Sequence, residues 1–503
     1  MRKSTVTQDI RKTGIRTWAI SIHSFAVMAL LLRFLVLLVF YTEPYYAPKW
    51  IMIAQFLTAL SGMVLGKMWK RKPFWFLAAY CVYLFIRLLL ENTKVARTDL
   101  SVRQILFHTA WVVGACYTLP YVLGREQMKR FLRIFAAVWT AGVTIHCFIA
   151  LYAAWKGIVI WNPVHGAFWG FSGKAGGGGP GFMEVNALGS GVGVRLNVVM
   201  YCTVSGAMVS LSGMIALIAA VCEKNRWAKL AYALSLVPFI FVMGLTDTRA
   251  CHISFGAGAG AVAGILLMRK LRAGSRGAEC GKGRRFVRGC LSVGVALAAA
   301  LVIVVIIGKT TSVFNGLKAR GSLVIPAALA EGAESGTTVV SSRGFEGGLD
   351  RILSGRVYAW KYLARYLSEH PKAILWGESV WKPMRGPNAQ SGLTYVVGHP
   401  HNAELMVLLQ HGIPGVILMG AMMLITVRRS FRLVNHDETP LWLALVPAVA
   451  LSLCVGDLVE CIAVFMAHAY PNCSALFLCM GLICLYGAKD RIPGADAGGE
   501  RII

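Results

Sequence analysis

The chain has 503 residues, of which 56% are hydrophobic and 15% charged, and its mean hydropathy is +0.61. A soluble domain of that balance could not cover its apolar surface, and apolar stretches of about 18 residues or more recur along the whole chain, as in membrane-spanning helices. The net charge of +28 reads as a topology signal helped by attraction to anionic lipid, and it gives no reason to invoke nucleic acid.

Twelve spans are predicted, at about 17–41, 50–66, 73–91, 104–122, 132–158, 197–221, 228–245, 251–268, 290–308, 404–427, 441–465 and 472–487, which makes an all-α polytopic membrane protein. The first stretch is too long for a signal peptide and lacks a small-residue cleavage site, so it counts as a helix. The loops alternate in charge. Segments 1–16, 67–72, 125–133, 223–229, 269–288, 428–432 and the C-terminal tail are rich in Lys and Arg, whereas the short loops of the opposite set are nearly devoid of them. The positive-inside rule then puts both termini in the cytoplasm and the long segment 309–403 outside; its own cations do not count, because long segments translocate regardless of charge.

The chain thus divides into 1–308, with nine spans and a glycine-rich outer loop at 159–196 ("SGKAGGGGPGF", 172–182), an extracytoplasmic loop domain at 309–403, and 404–503, with three spans and a cytoplasmic tail. No internal repeat is visible, which weighs against the inverted-repeat transporters. The thirteen cysteines lie mostly inside apolar stretches, with no CxxC pair, and behave as small hydrophobes rather than metal or redox ligands. None falls in 309–403, so disulfides do not hold that segment.

The residues able to do chemistry appear in order along the chain. Arg33 lies inside the first span and Arg87 inside the third, Arg195 starts the sixth at its outer end, and Arg249 in "MGLTDTRACHISF" (243–255) sits at an outer span end. An arginine in lipid costs several kcal/mol, so each should face a partner. In 353–381, Val357, Trp360, Leu363, Ala364 and Leu367 recur at helical spacing opposite Lys361, Arg365, Ser368 and Glu369, with Ser354 as N-cap and Pro371 as stop. Arg356 falls in the first turn of this amphipathic helix, beside backbone N–H groups without intrahelical partners. That is an anion site suited to phosphate, although spacing alone favours the plainer reading, in which Arg356 reaches up to lipid headgroups.

Segment 398–415, "GHPHNAELMVLLQHGIPG", places Asn402 as N-cap of a span, Glu404 in its first turn and His401 just before the cap. A positive helix terminus disfavours imidazolium, so His401 leans to the neutral, proton-accepting form that a general base needs. The plainer alternative is a polar cap at the interface. His399 competes for the role but is separated from the helix by Pro400, and His411 reads as a packed polar residue. Arginines 33, 87, 195, 249 and 356 converge on one leaflet without an equal stock of carboxylates in those spans, which points to a phosphate or pyrophosphate ligand.

"TDTRA" (246–250), "SGRVYAW" (354–360), "HPKAILWG" (370–377) and "HPHNAELMVLLQHGIPG" (399–415) occur in an order and spacing that resemble the O-antigen ligase and polymerase family over about residues 190–425. The resemblance implies an enzyme that takes a glycan from undecaprenyl pyrophosphate at the outer face of the bacterial cytoplasmic membrane, with no cofactor, nucleotide sugar or metal. It implies that Arg249 and Arg356 bind the pyrophosphate, that His401 deprotonates the acceptor hydroxyl, and that Arg195 is a further arginine of the site; from the residue reading, Arg33, Arg87, Asn402 and His399 are expected to join Arg195 in substrate binding. Its partners are then the lipid-linked glycan, an acceptor glycolipid or glycan, and membrane lipid. Two departures concern fine geometry: "LNVVMY" follows Arg195 where the family often has Pro-Asn, and Ala-Cys-His follows Arg249. A repeat-unit polymerase fits the same residues; a lipid-linked oligosaccharide flippase would need polar residues lining both leaflets.

Overall fold

A computed structural model describes residues 2–35, 49–90, 107–156, 160–162, 167–172, 195–199, 202–246, 248–274, 282–320, 356–377, 402–459 and 470–488. Among these residues the chain is almost wholly helical. The helices are α1 (Arg2–Leu32), α2 (Lys49–Leu65), α3 (Lys72–Leu90), α4 (Phe107–Tyr117, wound in wide π turns), α5 (Leu119–Val122), α6 (Arg125–Lys156), α7 (Cys202–Cys222), α8 (Arg226–Leu245), α9 (Arg249–Ala273), α10 (Lys282–Arg320), α11 (Arg356–Glu369), α12 (Pro371–Trp376), α13 (Ala403–Asn435), α14 (Leu441–Ala444), α15 (Val446–Val459) and α16 (Tyr470–Tyr486). Among the described residues, eight helical stretches are long and apolar enough to cross a membrane: Gly14–Leu32, α6, Thr203–Cys222, α8, α9, Phe286–Phe314, α13 and Leu441–Val459. Trp50–Leu65, Trp111–Val122 and Pro471–Tyr486 are shorter apolar helices. Twelve spans were expected and eight meet the length and hydropathy that a crossing requires, although helix is present in every expected stretch.

Two boundaries differ from the sequence reading for physical reasons. The expected span 197–221 opens on a strand rather than a helix. Strands β1 (Ile160–Asn162), β2 (Ala167–Ser172) and β3 (Arg195–Val199) form an antiparallel sheet in the order β1-β2-β3, with Phe168 opposite Val199 and Ser172 opposite Arg195. Leu196 and Val198, two residues apart and so on one face of β3, are fully buried. Ser205 Oγ accepts from Val198 N (2.9 Å) and donates to Val198 O (3.0 Å), which ties the strand to α7. The all-α expectation is corrected to that extent. At the other boundary, α10 continues to Arg320, well past 308.

Two apolar cores organise the bundle. One gathers α1–α5 with α13 and α16 around Val27, Leu77, Trp111, Met406 and Met480. The other gathers α6–α10 and the sheet around Trp139, Leu196, Met208, Phe239 and Ile307. Helix α9 lies at the centre of the second. Ser254 on α9 donates to Ser452 O on α15 (2.7 Å), and a Cβ on Gly258 would come within 2.7 Å of Ser452 Cβ. Along its opposite side, Gly256, Gly260 and Gly264 recur at i, i+4 spacing against α10. A Cβ on Gly260 would lie 2.3 Å from Ala296 O, and one on Gly264 2.8 Å from Ser292 O. Helices in lipid associate by such close backbone approach, because lipid supplies no hydrophobic drive between them.

Helix α11 ends at Glu369, and Pro371 opens α12 instead of ending the element, as a proline in the first turn can. Leu363 and Leu367 are buried with Ala373 and Leu409 in a small core of their own, and Lys361, Arg365, Ser368 and Glu369 are exposed. Ala364 was expected on the apolar face and is exposed.

Candidate functional site

The site grows from the start of α13. Asn402 has extended backbone angles (φ −155°, ψ 122°), and its side chain accepts from Leu405 N at 2.8 Å, the geometry of an N-cap. Its Nδ2 donates to Leu458 O at 2.9 Å, which pins the beginning of α13 to the end of α15. Glu404 stands in the first helical turn, where the macrodipole favours an anion. His401 and His399 lie outside the described residues.

Further along α13, the helix breaks at Gly412 (φ 62°, ψ −167°), two residues before Pro414. Pro414 has no N–H, so Gln410 O loses its usual i+4 donor. Into this break fits the end of α12, where Gly377 also has positive φ (79°). A Cβ on Gly377 would lie 2.2 Å from Gln410 O, and one on Gly412 2.6 Å from Gly377 N, so two backbones touch where only glycine leaves room.

Helix α3 fastens the junction. Tyr83 Oη donates to His411 O (2.6 Å) and to Trp376 O (3.2 Å), and Arg87 Nη2 donates to Gly377 O (3.0 Å). The Tyr80 hydroxyl lies 3.0 Å from His411 Nδ1, with the rings edge to face. His411 is buried, in keeping with its reading as a packed polar residue. The helix that Arg356 opens is therefore followed directly by a helix docked on α13. Arg356 is the first residue of α11, at the end of the helix where unpaired N–H groups collect.

Arg249 is the first residue of α9 and is only 7% exposed. The turn that carries it is braced: His252 Nε2 donates to Met243 O (2.8 Å), Thr246 Oγ1 donates to Met243 O (2.7 Å), and Thr248 Oγ1 donates to Thr246 O (3.3 Å). Helix α7 packs closely behind it, because a Cβ on Gly206 would sit 2.9 Å from Cys251 Sγ. Arg33 is buried in a 3-10 turn (Arg33–Leu35) at the end of α1, and Leu35 of that turn lies against Gly142 of α6. Arg195 is the first residue of β3.

The structure thus brings Arg87 to the junction of α12 and α13, and Asn402 to the end of α15. Arg33 stands at the α1–α6 contact and Arg249 at the α8–α9 turn. The junction residues Tyr80, Tyr83 and Gly377 were missed from sequence. Their signal was the spacing 80, 83, 87, which puts two tyrosines and an arginine on one helical face, and a glycine just past the end of a short helix. Among the described residues, no group of three or more His, Cys, Asp or Glu side chains is placed to hold a metal ion.

A family model described as O-antigen ligase matches residues 234–420, from within α8 through the first part of α13. No curated protein matches the chain.

Proposed function

We propose, from the O-antigen ligase family to which residues 234–420 belong, that this multi-pass, O-antigen ligase- or polymerase-like membrane glycosyltransferase takes its glycan from an undecaprenyl-pyrophosphate carrier and passes it to an acceptor hydroxyl at the outer face of the cytoplasmic membrane. The observation that carries the reading is the junction of α12 and α13. It couples the helix opened by Arg356 to the helix whose cap follows His401, so a phosphate-binding cation and a proton acceptor share one supporting frame.

In this reading Arg356 and Arg249 grip the pyrophosphate, since guanidinium forks match phosphate oxygens two at a time. His401, held neutral by the positive helix end, takes the proton of the acceptor hydroxyl. The hydroxyl oxygen attacks the anomeric carbon in line, the bond from that carbon to the phosphate oxygen breaks, and the configuration inverts. The electron pair leaves on the polyprenyl pyrophosphate, where the arginines balance its charge. Arg195, Arg33 and His399 serve the donor or acceptor more distantly. Asn402 and Arg87 act through the frame, one by capping α13 and the other through Gly377. No metal takes part, so chelation with EDTA leaves transfer unchanged.

Three variants test the assignment. Arg356→Ala or His401→Ala abolishes glycan transfer and leaves membrane insertion intact. Arg356→Lys rescues poorly, because an ammonium cannot hold two phosphate oxygens in a fork. Normal glycan product from either alanine variant removes that residue from the mechanism. The acceptor is read by deleting the gene: long chains left on the carrier mark a ligase, and single repeats mark a polymerase of the same family.

A further inference from the structure

At the end of the bundle away from Asn402, a cavity of 680 Å³ opens among α6, α7, α14–α15 and α16. Its walls are apolar, built by residues such as Leu132, Ile215, Val449 and Leu482. Its rim is not. Lys129 and Arg133 stand one helical turn apart near the start of α6, and Glu223 and Lys224 follow the end of α7.

The rim has an internal order. Arg133 Nη2 donates to both oxygens of Glu223 (3.2 and 3.0 Å), and Glu223 also accepts from the amides of Lys224 (2.8 Å) and Asn225 (3.2 Å). Glu223, the one acid of the rim among the described residues, is therefore already occupied, and it fixes Arg133. Among the described residues Lys129 pairs with one acid, Glu126, at 3.9 Å, but the Glu126 side chain is 83% exposed and such a surface pair holds little. Lys129 and Lys224 thus present ammonium groups above an apolar well.

An apolar well under two cations selects an amphiphile with one long hydrocarbon chain and an anionic head. A peptide is disfavoured, because the walls offer few partners for a buried backbone. A polyprenyl chain of many isoprene units exceeds the volume, whereas a single fatty-acyl chain fits it. The location agrees. The rim lies at helix ends next to Trp227, which is 67% exposed, and beside Trp442, and tryptophans of this kind mark the headgroup level of a bilayer. Basic pockets between membrane helices bind phosphate headgroups by the same charge complementarity.

We propose that this cavity is a lipid site that takes an acyl chain of an anionic glycerophospholipid, with its phosphate between Lys129 and Lys224. The inference stands apart from the glycosyl-transfer reading and does not depend on it.

The full chain, purified in a mild detergent, is loaded with phosphatidylglycerol or with phosphatidylcholine of the same acyl composition, washed, and its retained lipid counted by mass spectrometry. Phosphatidylglycerol is retained at about one per chain and phosphatidylcholine is washed out. Lys129→Gln with Lys224→Gln lowers phosphatidylglycerol retention about tenfold, without loss of the folded species, since both side chains are at the surface. Ala475→Phe, which fills the well from α16, lowers retention while leaving the rim cations in place. Equal retention of the two lipids, unchanged retention in both variants, or preferential retention of added polyprenyl phosphate over phosphatidylglycerol would each overturn the proposal.

Discussion

Asn402 serves two elements with one side chain: its oxygen caps α13 and its nitrogen reaches Leu458 O. The two functions separate by substitution. Asn402→Asp keeps the cap and loses the donor, whereas Asn402→Ala loses both, at a cost of about 1 kcal/mol for the cap alone. Thermal melts in detergent should rank wild type above Asp and Asp above Ala, and glycan output should fall in the same order; an alanine variant as stable as the aspartate would show that the cap contributes nothing. At the opposite end, the Asn225 amide, then the Lys224 amide and the Arg133 guanidinium, hold the Glu223 carboxyl below the usual glutamate range. A carboxyl with a depressed folded value stabilises the protein above its unfolded value of about 4.3 and loses that contribution as pH falls through the folded value. The stability gap between wild type and Glu223→Gln should therefore be open at neutral pH and close as pH drops below about 4, which melts across an acid series will read. Asn402 was legible as a cap because a short polar side chain stood directly before an apolar run. Tyr80 and Tyr83 were not, because a tyrosine in an apolar stretch counts as hydrophobic until its hydroxyl is seen to meet a carbonyl.

The fit of α9 to α10 rests on what three glycines lack. A side chain at position 260 would meet the carbonyl of Ala296, a backbone atom that cannot swing aside. Gly260→Leu should thus separate the two helices and remove most of the folded protein from a detergent extract. Gly294→Ala is the matched control: nothing lies within 4 Å of its Cβ position, so the change should be neutral or add up to about 1 kcal/mol by lowering chain entropy. A normal yield of the leucine variant would show that α9 and α10 can part without consequence. Gly377→Ala should be as harmful at the junction, where positive φ and the Gln410 carbonyl oppose a side chain together. Helices of this kind were readable from hydropathy, since twenty apolar residues in succession have few other uses. The strand at Arg195–Val199 was not, because a short valine-rich run before an apolar helix has the same mean hydropathy as the helix itself, and only its partner β2 distinguishes them.

For the whole molecule, hydropathy carries far, and the outward surface agrees with it. Phe286, Leu291, Leu297, Leu301 and Val305 on α10 are each more than half exposed, a face that water would not tolerate and lipid would. Which arginines meet was beyond reach from sequence. Arg87 was expected in substrate binding; its guanidinium donates to Gly377 O, a carbonyl that a helix pair far away in sequence brings to it. The break at Gly412 has one more implication. It divides α13 into two rods that share a pivot, so the hydrogen-bond ladder of the longer rod ends before the short one begins. A tilt of the leading rod, from Ala403 to His411, then takes place at the pivot while the remainder stays anchored among its neighbours. Tyr83, gripping the pivot from α3, would then set how far that swing goes.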